Sequence, residues 1–315
     1  MNRCPLTYEP CEGLYSQSGL KRLSRQLAAL QPLSFTSLEL RQEAAVRSQK
    51  MSIQGVQPKL SARLQIRGQQ FVLVDCNGQY ILKPQIADYV QVPENEDLTM
   101  RLAALAGIEV PLHGLLHGKD GEMTYFIKRF DRVGHKGKRH VEDFAQLGGQ
   151  NRETKYRSSM EQVAKLIETF CTFPAIEKVK LLRLTLFSFL VGNEDMHLKN
   201  FSVIRNQDII SLTPAYDLLN TTIILPQPEE ELALPLNARK NKLRREDFLE
   251  YFAKDRLGLT ERVIDKVTAD FANIRPQWEA LLEISFLSDK MKEKYLHVIN
   301  ERFARVFEKN GSTLI

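Results

Sequence analysis

The chain has 315 residues, 43% hydrophobic and 26% charged, the balance of a folded globular protein with room for two lobes. Its 44 Lys and Arg against 39 Asp and Glu leave a net charge of +5, a mild surplus that suits a site for a polyanionic ligand as well as an ordinary basic surface. The apolar run Leu181–Gly192 is too short to cross a bilayer and contains Arg183. The opening Met-Asn-Arg-Cys-Pro-Leu has no apolar secretion core, so a cytoplasmic protein with no membrane partner is expected. Of the four cysteines, Cys4 and Cys11 could form half of a metal site, but no second pair completes it. Reduced structural thiols are expected instead.

Residues 1–50 predict short helices, with apolar positions at helical spacing over Gly19–Leu27. The period then changes. Leu60, Ala62, Leu64 and Ile66 alternate with polar neighbours, Gly68 marks a turn, and Phe71–Val74 follows. Asn77-Gly78 is a hairpin signal leading into a strand over Tyr80–Pro84. A helix is predicted over residues 94–106, stopped by Gly107. Two strands follow, near Gly114–His117 and Met123–Phe130, around the turn Lys119-Asp120-Gly121. From about residue 140 the pattern turns helical, over Met160–Phe170 and Ala175–Val191 with Pro174 between them. A strand pair is predicted at Ser202–Ile204 and Ile209–Leu212, with more helices over 246–308. Residues 226–231 predict a solvated loop. The fold class is therefore α+β, a two-lobed protein-kinase-like arrangement. A β-rich lobe spans 1–132 and an α-rich lobe spans 133–315.

The chemistry concentrates in Gly192-Asn193-Glu194-Asp195-Met196-His197-Leu198-Lys199-Asn200 and in Tyr216-Asp217. An Asp, an Asn five residues on and a second Asp twenty-two residues after the first match the spacing of a kinase catalytic loop and its metal-binding Asp. Asp195 is the candidate catalytic base or hydroxyl-orienting carboxylate. Asn200 and Asp217 are the candidate Mg²⁺ ligands. Each alone could be a cap or turn residue, and the spacing favours function. His197 and Lys199 lie where a cation could reach a γ-phosphate. Lys83, at the end of its strand, is the candidate phosphate-pairing lysine. Glu96 is its partner on the following helix, preferred over Glu94 because Met100 continues its face. Ser52-Ile53-Gln54-Gly55-Val56-Gln57-Pro58-Lys59 is no Walker loop and too poor in glycine for the usual kinase loop. Its position and Lys59 make it a candidate phosphate cover. Lys128-Arg129-Phe130-Asp131 is the candidate hinge, with backbone groups for adenine and side chains expected to be solvated.

In this order the motifs resemble the HipA-like serine/threonine kinase toxins of bacterial toxin–antitoxin systems. The likeness runs from about Ser52 to the C-terminal helices. Ser52 to Lys59 resembles the family's Ser-x-x-Gly-x-Gln-x-Lys loop, and Ile81-Leu82-Lys83-Pro84 its ATP-lysine strand. Asn95-Glu96 resembles the following helix, Arg129-Phe130-Asp131-Arg132 the hinge, Asp195 to Ser202 the catalytic loop, and Leu212 to Asp217 the metal-binding strand end. The resemblance implies ATP and Mg²⁺, with roles in binding them for Ser52, Gly55, Gln57, Lys59, Lys83, Glu96, Lys128 and Phe130. It implies an aminoacyl-tRNA synthetase as substrate, growth arrest as outcome and Ser52 as an autophosphorylated switch. About fifty residues precede Ser52, fewer than in longer members. The expectation is therefore the short, split (HipT-like) form. Its partners would be a separate small subdomain-like antitoxin and a helix-turn-helix protein that makes any DNA contact indirect. A small-molecule or lipid phosphotransferase and a non-catalytic scaffold stand as alternatives, the intact Lys83, Asp195, Asn200 and Asp217 weighing against the scaffold.

Overall fold

A computed structural model describes residues 2–48, 57–134, 137–150, 154–225 and 230–307. Two compact units emerge. The first comprises Met1–Leu98, Pro111–Lys138 and Ile284–Leu287, the second Thr99–Val110, Arg139–Glu283 and Ser288–Ile315.

In the first unit Asn2–Arg3 (β1) pairs antiparallel with Pro10–Cys11 (β2). Helix α1 (Gln17–Leu23) starts at Ser16, whose side chain accepts from the Gly19 N–H, and stops at Ser24. Helix α2 spans Ser37–Ser48. Strands β3 (Leu60–Gln65), β4 (Gln70–Leu73) and β5 (Tyr80–Pro84) precede helix α3 (Val92–Leu105), which belongs to the first unit as far as Leu98 and to the second from Thr99. Strands β6 (His113–His117) and β7 (Met123–Lys128) complete an antiparallel five-stranded sheet in the order β4-β3-β5-β7-β6. A short ladder, β8 (Arg132–Val133) with β9 (Gly137–Lys138), closes the unit.

The N-terminal segment is less helical than its leucines suggest. Leu27, Leu30 and Leu33 lie in irregular chain after α1, yet all are buried with Leu6, Leu20 and Leu40 against Leu60, Phe71, Leu82 and Phe126 of the sheet. Burial here follows from apolar area rather than from helical period.

Asn77-Gly78 is not a β4–β5 hairpin. β3 lies between those strands and pairs with both. Val74 donates to Ser61 and Gln79 donates to the Ala62 carbonyl, so the connection runs across β3. A Cβ on Gly78 would come within 1.9 Å of Ser61 Oγ. The glycine serves this close backbone approach.

After Thr99–Val110, the second unit continues with β10 (Val141–Asp143) and a one-turn helix α4 (Phe144–Leu147) capped by the Asp143 side chain. Helices α5 (Met160–Phe170) and α6 (Pro174–Leu190) follow, with Pro174 at the start of α6 where its missing N–H costs nothing. A 3₁₀ turn at Leu198–Asn200 leads into β11 (Ser202–Asn206) and β12 (Ile209–Leu212), which with β10 form an antiparallel sheet in the order β10-β11-β12. A π-helical segment (Asp247–Arg256), α7 (Glu261–Glu283) and α8 (Asp289–Phe307) complete it. Trp278 is fully buried with Phe187, Phe271 and Phe303 standing edge-on to its ring, and its indole N–H donates to the Leu102 carbonyl. No helix among the described residues is long and apolar enough to cross a membrane.

The N-terminal half of α3 contradicts ordinary helix economy. Glu94, Asn95, Glu96 and Asp97 are consecutive, polar and all buried. Two of the three acids have cationic or imidazole partners from the sheet. Lys83 Nζ lies 2.5 Å from Glu96 Oε1, with side-chain exposures of 4% and 1%. His113 Nδ1 lies 2.7 Å from Asp97 Oδ1. Burial pushes the Glu94 carboxyl up to about 7, and the charges of Glu122 and Asp97 add to the effect.

Two outcomes are expected. Glu96→Ala leaves the Lys83 ammonium buried without its counter-charge and should cost about 3–5 kcal/mol, whereas Lys83→Met with Glu96→Leu should recover most of that. Urea unfolding of the single and double variants measures both. For Glu94 the folded-state pKa exceeds the ordinary 4.5, so the folded protein holds the extra proton between the two values. Stability contributed by the neutral acid is present below that range and lost as pH rises through about 7. Glu94→Gln should remove this loss, gaining on the order of 3 kcal/mol over the wild type at pH 8 relative to pH 5. Parallel stability–pH curves for the two proteins would refute the assignment.

Candidate active site

Helix α6 delivers the chain to Gly192, which turns at φ +74°, a conformation that favours glycine. A Cβ there would meet Asn220 Oδ1 and Thr222 Oγ1 at 2.7 Å each. The following loop is fixed by its own polar groups. Asn193, fully buried, accepts from the Asp195 N–H through Oδ1 at 3.1 Å. Asn200 donates from Nδ2 to the Asp195 carbonyl at 2.8 Å. Thr221 accepts from the Glu194 N–H at 2.7 Å and donates to the Gly192 carbonyl at 3.0 Å.

On this frame the Asp195 side chain stays 45% exposed. Tyr156 donates its hydroxyl to Asp195 Oδ1 at 2.5 Å. Burial, then the Asp195 carboxylate, drive the phenol pKa upward, so it remains a donor. His197 is buried, with Nε2 2.6 Å from Lys155 Nζ. An ammonium only donates, so Nε2 accepts and the imidazole proton belongs on Nδ1. Burial lowers the His197 pKa, the Lys155 charge lowers it further, and Asp195 and Asp217 oppose both. The ring is therefore neutral, a hydrogen-bonding group rather than the cation its sequence position suggests. Its Nδ1 is buried with no partner among the described residues. Lys199 keeps its ammonium near the surface, 3.9 Å from Asp143 Oδ2.

Asp217 does not end a strand, since β12 stops at Leu212. It sits at φ +60°, costly for a residue with a side chain and frequent at functional positions. Its neighbour Tyr216 donates to the Lys199 carbonyl at 2.9 Å, and Ser202 lies 2.5 Å from the same hydroxyl as the donor. The segment carrying Asp217 is thereby tied to the loop carrying Asn200. With the Asn200 amide nitrogen committed to Asp195, its Oδ1 is left as a ligand. By their chemistry Asn200 and Asp217 offer oxygen ligands of the kind a hard ion such as Mg²⁺ takes when phosphates supply further ligands. The fit rests on this donor chemistry. Among the described residues no group of three or more His, Cys, Asp or Glu is placed to hold a metal. A cavity of about 260 Å³ lies against Asn200, Phe201, Ser202, Leu212, Thr213 and Ala215.

In the first unit the structure joins Lys83 to Glu96 and stands Lys83 Nζ 5.6 Å from the centre of the Tyr125 ring. Lys128, at the exposed end of β7, pairs in register with Tyr80. Phe130 lies half-buried beyond that strand. Arg129 is not solvated as expected but clamps Asp131 through both carboxylate oxygens, at 2.9 and 2.8 Å. Burial opposes the ionised form of Asp131, but bonds and charges from Arg129 and Arg132 hold its pKa below the ordinary value. Gln57 and Lys59 are half-buried ahead of β3. Ser52 and Gly55 lie outside the described residues, so their roles rest on sequence alone. Sequence reasoning missed Lys155, Tyr156, Asn193 and Thr221. Only Asn193 lay inside a recognised motif.

The chain matches the HipA-like C-terminal domain model over residues 51–278. A candidate kinase of Haemophilus influenzae is 30% identical, covering 96% of this chain and 97% of its own. The candidate kinase Y4dM of Sinorhizobium fredii is 33% identical over 76% of this chain, which spans 61% of it. The serine/threonine-protein kinase toxin HipA of Shewanella oneidensis is 29% identical over 60% of this chain, which spans about half (47%) of it. Among solved structures, Shewanella HipA, determined with HipB and its operator DNA, aligns with a TM-score of 0.68 at 23% identity over 89% of this chain and 72% of its own. The Helicobacter pylori proinflammatory kinase CtkA aligns at 0.55 and 15% identity, over 82% and 92%. At these identities the structural likeness speaks for the α+β kinase-like fold. The match of the family model over most of the sequence, together with the full-length Haemophilus relative, settles the relationship: the chain belongs to the HipA-like kinase toxin family.

Proposed function

We propose that this protein is an ATP- and Mg²⁺-dependent serine/threonine protein kinase that acts as the toxin of a bacterial toxin–antitoxin system. The observation that carries this reading is the buried Lys83–Glu96 pair. Removing two charges from water is expensive, and an apolar pair of similar volume would serve stability as well. A strand lysine held by a helix glutamate is the arrangement kinases use to pair nucleotide phosphates. The geometry of Asp195, Asn200 and Asp217 supports the same chemistry.

In this reading Lys83 binds phosphate oxygens, held in orientation by Glu96. Asp195 orients the acceptor hydroxyl and receives its proton as that oxygen bonds to the γ-phosphorus and ADP departs. Asn200 and Asp217 would hold the metal, which would offset charge on the phosphates. Gln57, Lys59, Ser52 and Gly55 would cover the phosphates, and Lys128 and Phe130 would flank the nucleotide base. Ser52 is the proposed autophosphorylation site. A phosphate there adds about −1.5 to −2 charges and would compete with ATP for Lys59 and Lys83. The proposed substrate is an aminoacyl-tRNA synthetase, with arrest of translation and growth as the consequence. Because the Shewanella relative was solved with HipB and operator DNA, a DNA-binding antitoxin is proposed as a partner here too, contacting DNA on the kinase's behalf.

With radiolabelled ATP and Mg²⁺, the purified protein should transfer the γ-phosphate to itself, at Ser52, and to a synthetase in a bacterial extract. Asp195→Asn and Asp217→Asn should each lower transfer by about a hundred-fold or more. Transfer that persists at wild-type level in both variants would remove the assigned site.

A further inference from the structure

Two adjacent residues outside every recognised motif each take hold of a functional side chain. Lys155 and Tyr156 lie in the turn before α5, where Arg157 donates to the Thr154 carbonyl. Tyr156 is 39 residues from Asp195 and Lys155 is 42 from His197. Yet the Tyr156 hydroxyl reaches Asp195 Oδ1 at 2.5 Å, and Lys155 Nζ reaches His197 Nε2 at 2.6 Å. The Tyr156 ring stands edge-on to the His197 ring, with centroids 5.0 Å apart and planes at 84°. Lys155 Nζ lies 4.8 Å from the centre of the Tyr156 ring. A main-chain bond from Leu198 N to Lys155 O, 3.3 Å, fastens the two segments together. An incidental surface tyrosine would need none of these contacts, since water satisfies a phenol well.

From this arrangement we propose that Tyr156 is a positioning residue for Asp195, with Lys155 and His197 as its brace. The proposal rests on Asp195 being the catalytic carboxylate. A carboxylate on a half-exposed aspartate rotates between several orientations. Pinning one oxygen fixes the plane of the group and the direction in which the other presents its lone pairs. All the described contacts to the carboxylate fall on Oδ1, from Tyr156 and, at 3.8 Å, from His197. With 45% of the side chain still exposed, Oδ2 is the atom that accepts from the substrate hydroxyl. The brace explains why a neutral, buried His197 belongs in this loop. It offers one nitrogen to Lys155 and a ring edge to Tyr156, and so transmits the position of the 155–156 turn to the catalytic carboxylate. Tyr156 remains protonated throughout. It holds Oδ1 and takes no part in proton transfer.

The test uses the full-length protein, radiolabelled ATP and the protein's own autophosphorylation, with Tyr156→Phe, Tyr156→Ala and Asp195→Asn measured side by side. Tyr156→Phe keeps the ring against His197 and deletes only the hydrogen bond. It should lower kcat by about ten-fold or more while leaving the KM for ATP and the urea unfolding midpoint at wild-type values. Tyr156→Ala, which also removes the ring, should fall further. A Tyr156→Phe rate equal to wild type, with Asp195→Asn inactive, would overturn the positioning role and leave the kinase reading intact. A faster Tyr156→Phe enzyme would overturn it too, showing that the hydroxyl blocks the acceptor. Phosphate recovered on Tyr156 itself by mass spectrometry would likewise overturn it, making the residue a substrate. Wild-type transfer in Asp195→Asn would instead defeat the kinase reading beneath it.

Discussion

The carbonyl of Gly192 is the knot of the candidate site. It receives the Thr221 N–H at 2.9 Å, the Thr222 N–H at 3.2 Å and the Thr221 hydroxyl at 3.0 Å. The Thr222 hydroxyl stands 3.1 Å from the same oxygen and 2.6 Å from Glu194 Oε1. Having one proton, it gives it to the shorter, charge-assisted bond. So many donors converge because Gly192 has no Cβ, which in this left-handed turn would meet Asn220 and Thr222 at 2.7 Å. The knot joins two stretches that share no local structure. One runs on to Asp195 and Asn200, the other begins at Asp217. The proposed chemistry needs a fixed relation between them, and hydrogen bonds to a single peptide oxygen contribute to it.

Beneath the knot lies an arginine that is almost wholly buried. Arg302 of α8 donates to the Phe189 carbonyl at 2.7 Å and lies 3.9 Å from Glu194 Oε1. The Phe189 carbonyl belongs to the last turn of α6, where it also accepts from the Gly192 N–H at 3.1 Å, so Arg302 is its second donor. A cation there also answers the negative end of the helix dipole. Burial raises the Glu194 pKa against the lowering effects of Thr222 and Arg302, and burial lowers that of Arg302 against nearby carboxylates. Each charge alone would be expensive in that interior. Together with the helix end they form a polar foundation that only one placement of the loop satisfies. A tightly packed apolar foundation would be as stable but would specify the loop less.

Local signals in the sequence located the parts that local physics determines. Alternating apolar residues marked β3, Pro174 marked the start of α6, and the spacing of Asp195, Asn200 and Asp217 marked the loop that the structure ties together. The Asn77-Gly78 dipeptide misled, because the same glycine that suits a hairpin also suits a backbone passing over Ser61. The leucines between α1 and α2 misled in another way. Apolar residues at irregular spacing pack as well as helical ones when a sheet lies beneath them. The Arg129–Asp131 clamp was hidden because sequence gives no reason to separate a solvated arginine from one that folds back two residues. Lys155 and Tyr156 were invisible for the most general reason. Their meaning depends on side chains about forty residues away, and neither has a distinctive neighbour. His197 shows the limit of reading charge from residue type. Its place in the loop suggests a cation, but burial and a neighbouring ammonium make it neutral.

The treatment of Asp195 shows how one loop fixes its backbone and still presents a carboxylate to solvent. Its peptide N–H is taken by the Asn193 side chain and its peptide carbonyl by the Asn200 side chain. Amide side chains serve here because each offers a donor and an acceptor without charge. A carboxylate in either position would place a second negative charge beside Asp195 and compete with it for any cation or proton. With both backbone groups satisfied inside the loop, the main chain at Asp195 has no call on solvent and no reason to move. The carboxylate is then the part of the residue that projects outward. In the proposed reading Asn200 serves twice, its nitrogen holding the backbone of Asp195 and its oxygen remaining for a metal. The spacing from Asp195 to Asn200 suits the bond between them. Five residues with a 3₁₀ turn at the end return the Asn side chain to the Asp carbonyl, and a one-residue change in that spacing would lose the bond.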